Sequence, residues 1–243
     1  MLPVLQIGPL AIQLLGLLLL AGVWLGSSAI ERQGRRLKLP VAALSNLLFI
    51  GLVAGLLGAR LWYAVRFLDV YLDNPLSLLS LNPITLSLPE GVLTGLAAAY
   101  WYGRRRDLPL WPTLDALAAG LAVFGVAHGF ANLASGDAFG APSDLPWAIE
   151  LWGARRHPSQ IYEILLAGLT FAAIGELGFR RLFPGFLFLA WAGLASASRL
   201  FLEAFRGDSL IVLGTLRLAQ LLSLGVLLAA MLAMHRRARS RAS

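Results

Sequence analysis

Blocks of about twenty apolar residues, separated by short clusters of charge, run the length of the chain. At about 1.5 Å rise per residue, such a block is long enough as a helix to cross a hydrocarbon core of about 30 Å. The pattern predicts seven spans, over residues 9–29, 41–65, 85–103, 113–135, 158–179, 184–204 and 209–234. The expected architecture is an all-α integral membrane protein of about seven transmembrane helices, forming a single polytopic domain over residues 1–243. No internal repeat is visible, which argues against an inverted-repeat transporter.

Charge placement gives the expected orientation. Arg32, Arg35, Arg36 and Lys38 follow the first span, and Arg104, Arg105 and Arg106 follow the third. Arg180 and Arg181 follow the fifth, and Arg236, Arg237, Arg239 and Arg241 lie in the tail. Seven alternating spans put all thirteen on one face, and the positive-inside bias makes that face cytoplasmic, with the amino terminus outside. No Lys or Arg precedes the first span, so it reads as a retained anchor rather than a cleaved signal. The opposite face receives an arm at about 136–157, rich in Gly, Pro, Trp and Asp, placed to border any site open to the exterior.

Composition excludes several classes. With 58% hydrophobic and 14% charged residues, the chain cannot cover itself with a polar surface. The net charge of +7 sits at helix ends, where topology explains it better than nucleic acid does. The absence of cysteine removes disulfides, a thiolate metal site and a cysteine nucleophile. No metal or cofactor is expected.

Ionisable groups inside spans cost several kcal/mol unless paired or wetted, so each needs a reason. Arg199 and Glu203 are four apart on one helical face, fit either for a structural ion pair or for lining a polar cavity. His128 and Asn132 are also four apart, followed by Ser135 and Asp137; helix-packing glue and chemistry are both open to them. The fifth span opens on Arg155-Arg156-His157-Pro158-Ser159-Gln160-Ile161-Tyr162-Glu163, which suits an anion cradle at a helix amino terminus or an interfacial anchor.

Several of these strings together resemble a known family. Asp144-Leu145-Pro146-Trp147-Ala148, the Arg156-His157-Pro158-Ser159-Gln160-Ile161-Tyr162-Glu163 run, Gly58-Ala59-Arg60-Leu61, Ile7-Gly8-Pro9-Leu10 and the stretch from Arg199 to Arg206 are similar, in the same order, to the bacterial prolipoprotein diacylglyceryl transferases. The resemblance implies seven spans in the cytoplasmic (inner) membrane with a site facing the extracytoplasmic leaflet. It also implies transfer of diacylglyceryl from phosphatidylglycerol, or another anionic phospholipid, to the lipobox cysteine of a prolipoprotein signal peptide, releasing glycerol phosphate. By position, Arg199 and Glu203 match a functional pair of the family, Asn132 a signature asparagine, and Asp137 stands where the family has glutamate.

The chain also departs from the family. Pro89 stands at the histidine of the third-span motif, Gly129 at a phosphate-binding arginine, and Leu15 at about the position of a tyrosine. The chemistry would then pass to His128, Asp137 and Glu203, or Glu90, for proton transfer. Substrate would be bound by Asn132, Arg155, Arg156, His157, Gln160, Tyr162, Glu163 and Arg199. Two other readings stay open, a related lipid transferase with a different acceptor and a catalytically silent lipid-binding protein of the same fold.

Overall fold

With no water to receive its backbone N–H and C=O groups, an apolar block satisfies them internally as a helix. The computed structural model describes residues 4–7, 10–74, 76–77, 85–180, 182–212, 214 and 216–242. Among them run eight helices: α1 (Leu14–Arg36), α2 (Val41–Arg66), α3 (Leu68–Asp73), α4 (Leu88–Arg105), α5 (Leu110–Ser135), α6 (Ser159–Leu177), α7 (Phe186–Leu202) and α8 (Leu218–Ala242). Helices α1, α2, α5, α6, α7 and α8 are long and apolar enough to cross a membrane. Helix α4 lies where the third span was expected, but Glu90, Arg104 and Arg105 fall within its 18 residues.

The first and last spans begin later than expected. Val4–Ile7 (β1) and Leu10–Gln13 (β2) pair antiparallel, Val4 opposite Gln13 and Ile7 opposite Leu10, so α1 starts at Leu14 rather than residue 9. Near the other end, part of the expected 209–234 span is taken by Ile211–Val212 and Leu216–Arg217, and α8 occupies 218–242. Apolar runs this short fit strand or helix equally by hydropathy, and β-branched Val4, Ile7, Ile12, Ile211 and Val212 favour the strand.

The chain divides into two compact units, residues 34–113 and residues 1–33 with 114–243. In the first, α2 and α4 meet along Gly51, Gly55 and Ala59 on one helix and Gly91, Gly95 and Ala99 on the other, each set spaced by four. A Cβ on Gly95 would stand 2.6 Å from the Gly51 carbonyl oxygen, and one on Gly91 2.5 Å from the Ala59 Cβ. Backbones this close gain dispersion contacts, the main driving force for helix association where lipid removes the hydrophobic one.

In the second unit, Ala118, Ala122, Ile174, Leu187 and Ala190 form a small core among α5, α6 and α7. Gly22 and Gly26 of α1 approach Phe124, Ala127 and Gly120 of α5. Outward faces carry large exposed apolar side chains, among them Leu165, Leu169 and Phe171 on α6 and Leu222, Leu228 and Met231 on α8, as a lipid solvent requires. Helix α7 begins at a carboxylate supplied by α5: Asp115, buried, accepts from the Gly185 N–H at 2.6 Å and the Phe188 N–H at 2.9 Å. That places a negative charge at the positive end of the helix and satisfies two of its orphan donors.

Candidate lipid-transfer site

Helices α5, α6 and α7 leave a cleft of about 180 Å³ between them. Its wall is apolar and built of small residues, including Gly125, Ala122, Ala167 and Ala195, with Trp191 and Leu121 at the far end from His128, Glu163 and Arg199. Seven residues separate Leu121 from His128, so the cleft runs about 10 Å along the helix axis. A polar mouth above an apolar slot suits an amphiphile.

At that mouth His128 and Asn132, one turn apart on α5, meet Glu163 of α6. His128 Nδ1 lies 3.1 Å from Glu163 Oε1, and the Asn132 amide donates to Glu163 Oε2 at 2.9 Å while lying 3.2 Å from the same His128 Nδ1. The imidazole is 49% exposed and the carboxylate 16%. On α7, Arg199 lies 3.2 Å from Glu203, whose side chain is only 1% exposed. That Glu203 oxygen accepts no aligned hydrogen bond, so the contact is Coulombic, and it offsets the cost of burying the carboxylate. The expectation that this pair meets on one face holds, and Arg199 also lines the cleft.

Beyond α7 the chain turns sharply. Arg206 donates to both carboxylate oxygens of Asp208, at 2.8 and 2.6 Å. Burial works against the Arg206 charge, but Asp208 and the more distant Glu163 and Glu203 outweigh it and raise its pKa above the ordinary arginine value. Burial likewise disfavours the Asp208 charge, and the Arg206 guanidinium overcomes this and holds Asp208 below the usual carboxylate range. Arg217 donates to the carbonyls of Glu203 and Arg206 and to Ser209 Oγ, neutralising the negative end of α7.

The arm carries a hairpin of Ile149–Leu151 (β3) and Ala154–Arg156 (β4), turning through Trp152 and Gly153, both at positive φ. Its two arginines bind the arm itself. Arg155 donates to the Leu145 carbonyl at 3.1 Å, and Arg156 to those of Leu151 and Gly140 at 3.0 and 3.3 Å, with its guanidinium over the Phe139 ring. The Gln160 side chain, fully buried, donates to the Asp137 carbonyl at 2.9 Å, and Ser159 Oγ to that of Ala138 at 2.6 Å. His157 packs against Phe205, and Tyr162 accepts from Trp147 Nε1 at 2.8 Å. The Asp137 side chain is exposed. Of the residues picked out from sequence, His128, Glu163 and Arg199 line the cleft with Asn132 and Glu203 bonded to them, whereas Arg155, Arg156, His157, Gln160, Tyr162 and Asp137 do not line it.

Within the 34–113 unit, Glu90 pairs with Arg66 at 2.8 Å. Arg60 donates to the carbonyls of Ser77 and Thr85 and to Thr85 Oγ1. Pro89 and Gly129, where the resemblance leads one to expect a histidine and an arginine, have clear local roles. Pro89 occupies the first turn of α4, where its missing N–H costs nothing. At Gly129, α5 crosses α6 so closely that a Cβ would stand 2.9 Å from Ile164 Cγ1 and 3.3 Å from its amide nitrogen. Sequence reasoning did not single out Asp115, Arg217 or the Arg206–Asp208 pair as a unit; an acid just inside an apolar block was the available signal for the first. Among the described residues no group of three His, Asp or Glu side chains converges to hold a metal ion.

The family model for prolipoprotein diacylglyceryl transferase matches residues 3–236. The chain is 31% identical over 235 residues to a phosphatidylglycerol–prolipoprotein diacylglyceryl transferase of Synechococcus elongatus, covering 90% of this chain and 81% of that protein. It is 30% identical over 236 residues to the one of Trichormus variabilis, with 90% and 83% covered. To the one of Clostridioides difficile it is 27% identical over 209 residues, with 86% and 84% covered.

Proposed function

The chain belongs to the prolipoprotein diacylglyceryl transferase family, and from that premise we propose that it transfers diacylglyceryl from phosphatidylglycerol to the thiol of a lipobox cysteine, releasing glycerol phosphate. The observation that carries this reading is the cleft, with an imidazole, a carboxylate and a guanidinium at the mouth of an apolar slot. An acyl chain occupies the slot, and Arg199, held by Glu203, meets the phosphate with charge and N–H donors.

The thiol, with an ordinary pKa of about 8.5, must lose its proton before attack. His128 takes it. The thiolate then attacks the glyceryl carbon bearing the phosphate, the C–S bond forms as C–O breaks, and the imidazolium returns the proton to the departing phosphate oxygen. Charge developing on that phosphate is stabilised by Arg199. In the proposed placement seven helices cross the bacterial inner membrane, α4 among them. The amino terminus and the 136–157 arm lie outside, the tail lies inside, and the cleft mouth opens to the outer leaflet.

The purified chain, incubated with phosphatidylglycerol and a lipobox peptide, should yield thioether-linked diacylglyceryl peptide by mass spectrometry, and His128→Gln should cut the rate about a hundredfold or more. Bound lipid without transfer would leave a lipid-binding protein of this fold. The Gly129 and Pro89 departures favour one second reading, the same lipid donor with a different acceptor, which would give lipid transfer to water or another nucleophile in that assay.

A further inference from the structure

We infer that Glu163 is a positioning residue that fixes the tautomer of His128, leaving Nε2 as the proton-accepting atom of the cleft, and that Asn132 keeps Glu163 in place rather than binding substrate. This rests on the transfer reading only for the identity of the proton donor.

The inference follows from hydrogen-bond inventory. Glu163 Oε1, as a carboxylate oxygen, can only accept, and the Asn132 amide nitrogen can only donate. Both lie within reach of one atom, His128 Nδ1, at 3.1 and 3.2 Å. Nδ1 cannot donate to the first and accept from the second at once. The Asn132 amide already has the better acceptor, Glu163 Oε2 at 2.9 Å. Turning the Asn132 amide over would set its oxygen against that carboxylate oxygen, so the nitrogen faces Glu163. An unprotonated Nδ1 would likewise set its lone pair against Oε1. The proton therefore sits on Nδ1 and is donated to Glu163, as charge-assisted bonds are the stronger ones. The other ring nitrogen carries the lone pair, on a side chain that lines the cleft and is 49% exposed.

Glu163 does two things for proton transfer. It orients the ring, and it stabilises the imidazolium formed when Nε2 takes a proton. The geometry also states what happens without it. With Glu163 gone, the Asn132 amide has Nδ1 as its nearest remaining acceptor and donates to it, which moves the ring proton onto Nε2 and blocks the base. Asn132 is thus harmless while Glu163 is present and inhibitory when it is absent, an asymmetry that a packing role would not create.

The test is histidine-selective 15N NMR of the full chain in lipid nanodiscs. The chain has 3 His, and His128→Gln identifies the His128 signals. The parent should show His128 as the Nδ1–H tautomer, Asn132→Ala should leave it so, and Glu163→Ala should convert it to Nε2–H. Glu163→Leu, closer to glutamate in volume and apolar as the cleft wall is, gives the same expected conversion should the alanine chain not accumulate. A parent ring protonated on Nε2, or an unchanged tautomer in both Glu163 variants, would overturn the inference. In the transfer assay, the Glu163 variants should lose about tenfold to a hundredfold in kcat with little change in KM for phosphatidylglycerol. An unchanged kcat would also overturn it. If the parent transfers nothing to the peptide, the transfer reading falls, and the tautomer measurement still decides the role of Glu163.

Discussion

Replacing Asp115 by alanine tests whether a charge on one membrane helix anchors the start of another. The carboxylate receives the Gly185 and Phe188 N–H groups at 2.6 and 2.9 Å and is 5% exposed. Hydrogen bonds to charged groups contribute about 1.5–3 kcal/mol each, so the pair represents about 3–6 kcal/mol. Against this stands the desolvation of the carboxylate itself, which alanine removes. We expect a net loss of about 3 kcal/mol, because the variant leaves the buried Gly185 N–H and the half-buried Phe188 N–H with no acceptor. For a chain of this size that is a fall in Tm of about 6–12 °C, measured by thermal unfolding in detergent. Asp115→Asn, which keeps one carbonyl acceptor, should fall about half as far. Arg199 lies about 21 Å along α7 from this end, so the folded variant should retain the parental kcat. A Tm within about 2 °C of the parent would refute the anchoring role.

Arg199→Ala should weaken binding of phosphatidylglycerol to the detergent-solubilised chain more than binding of phosphatidylcholine, and equal losses would reduce Arg199 to packing. Gly95→Leu should cost about 1–3 kcal/mol or more, read as a lower Tm, because its side chain must displace the Gly51 carbonyl. Asp208 is held below the usual carboxylate range by Arg206, so the stability it contributes is complete above its unfolded pKa of about 3.9 and is lost as pH falls through the lower folded value. Asp208→Asn should therefore flatten that acid limb of the Tm-against-pH curve. Single cysteines at Asp144 and Arg236 should react with a membrane-impermeant maleimide on opposite sides of the membrane.

Spans were legible because lipid demands about twenty apolar residues per crossing, a requirement written into local composition. The ends were not, because Val4–Ile7, Leu10–Gln13 and Ile211–Val212 satisfy the same hydropathy as strands. Pairs four apart on one helix, His128 with Asn132 and Arg199 with Glu203, were visible for the same local reason. The meeting of His128 with Glu163 joins residues 35 apart on two different helices, and no local pattern encodes it. Arg156 looked like an anion ligand beside a helix amino terminus, yet its donors go to Leu151 and Gly140 carbonyls that only the folded arm brings near.

The crossing at Gly129 ties the volume of one residue to the geometry of the site beside it. Successive residues on a helix point about 100° apart, so position 129 faces Ile164 while its neighbour His128 faces Glu163. At 129 the Cβ of an arginine would stand 2.9 Å from Ile164 Cγ1 and 3.3 Å from the Ile164 amide nitrogen. Housing it displaces the Ile164 side chain and presses on the backbone of α6, and α6 carries Glu163, the partner of His128. The volume of residue 129 is thus coupled to the His128–Glu163 contact, although its own position on the helix faces Ile164 instead.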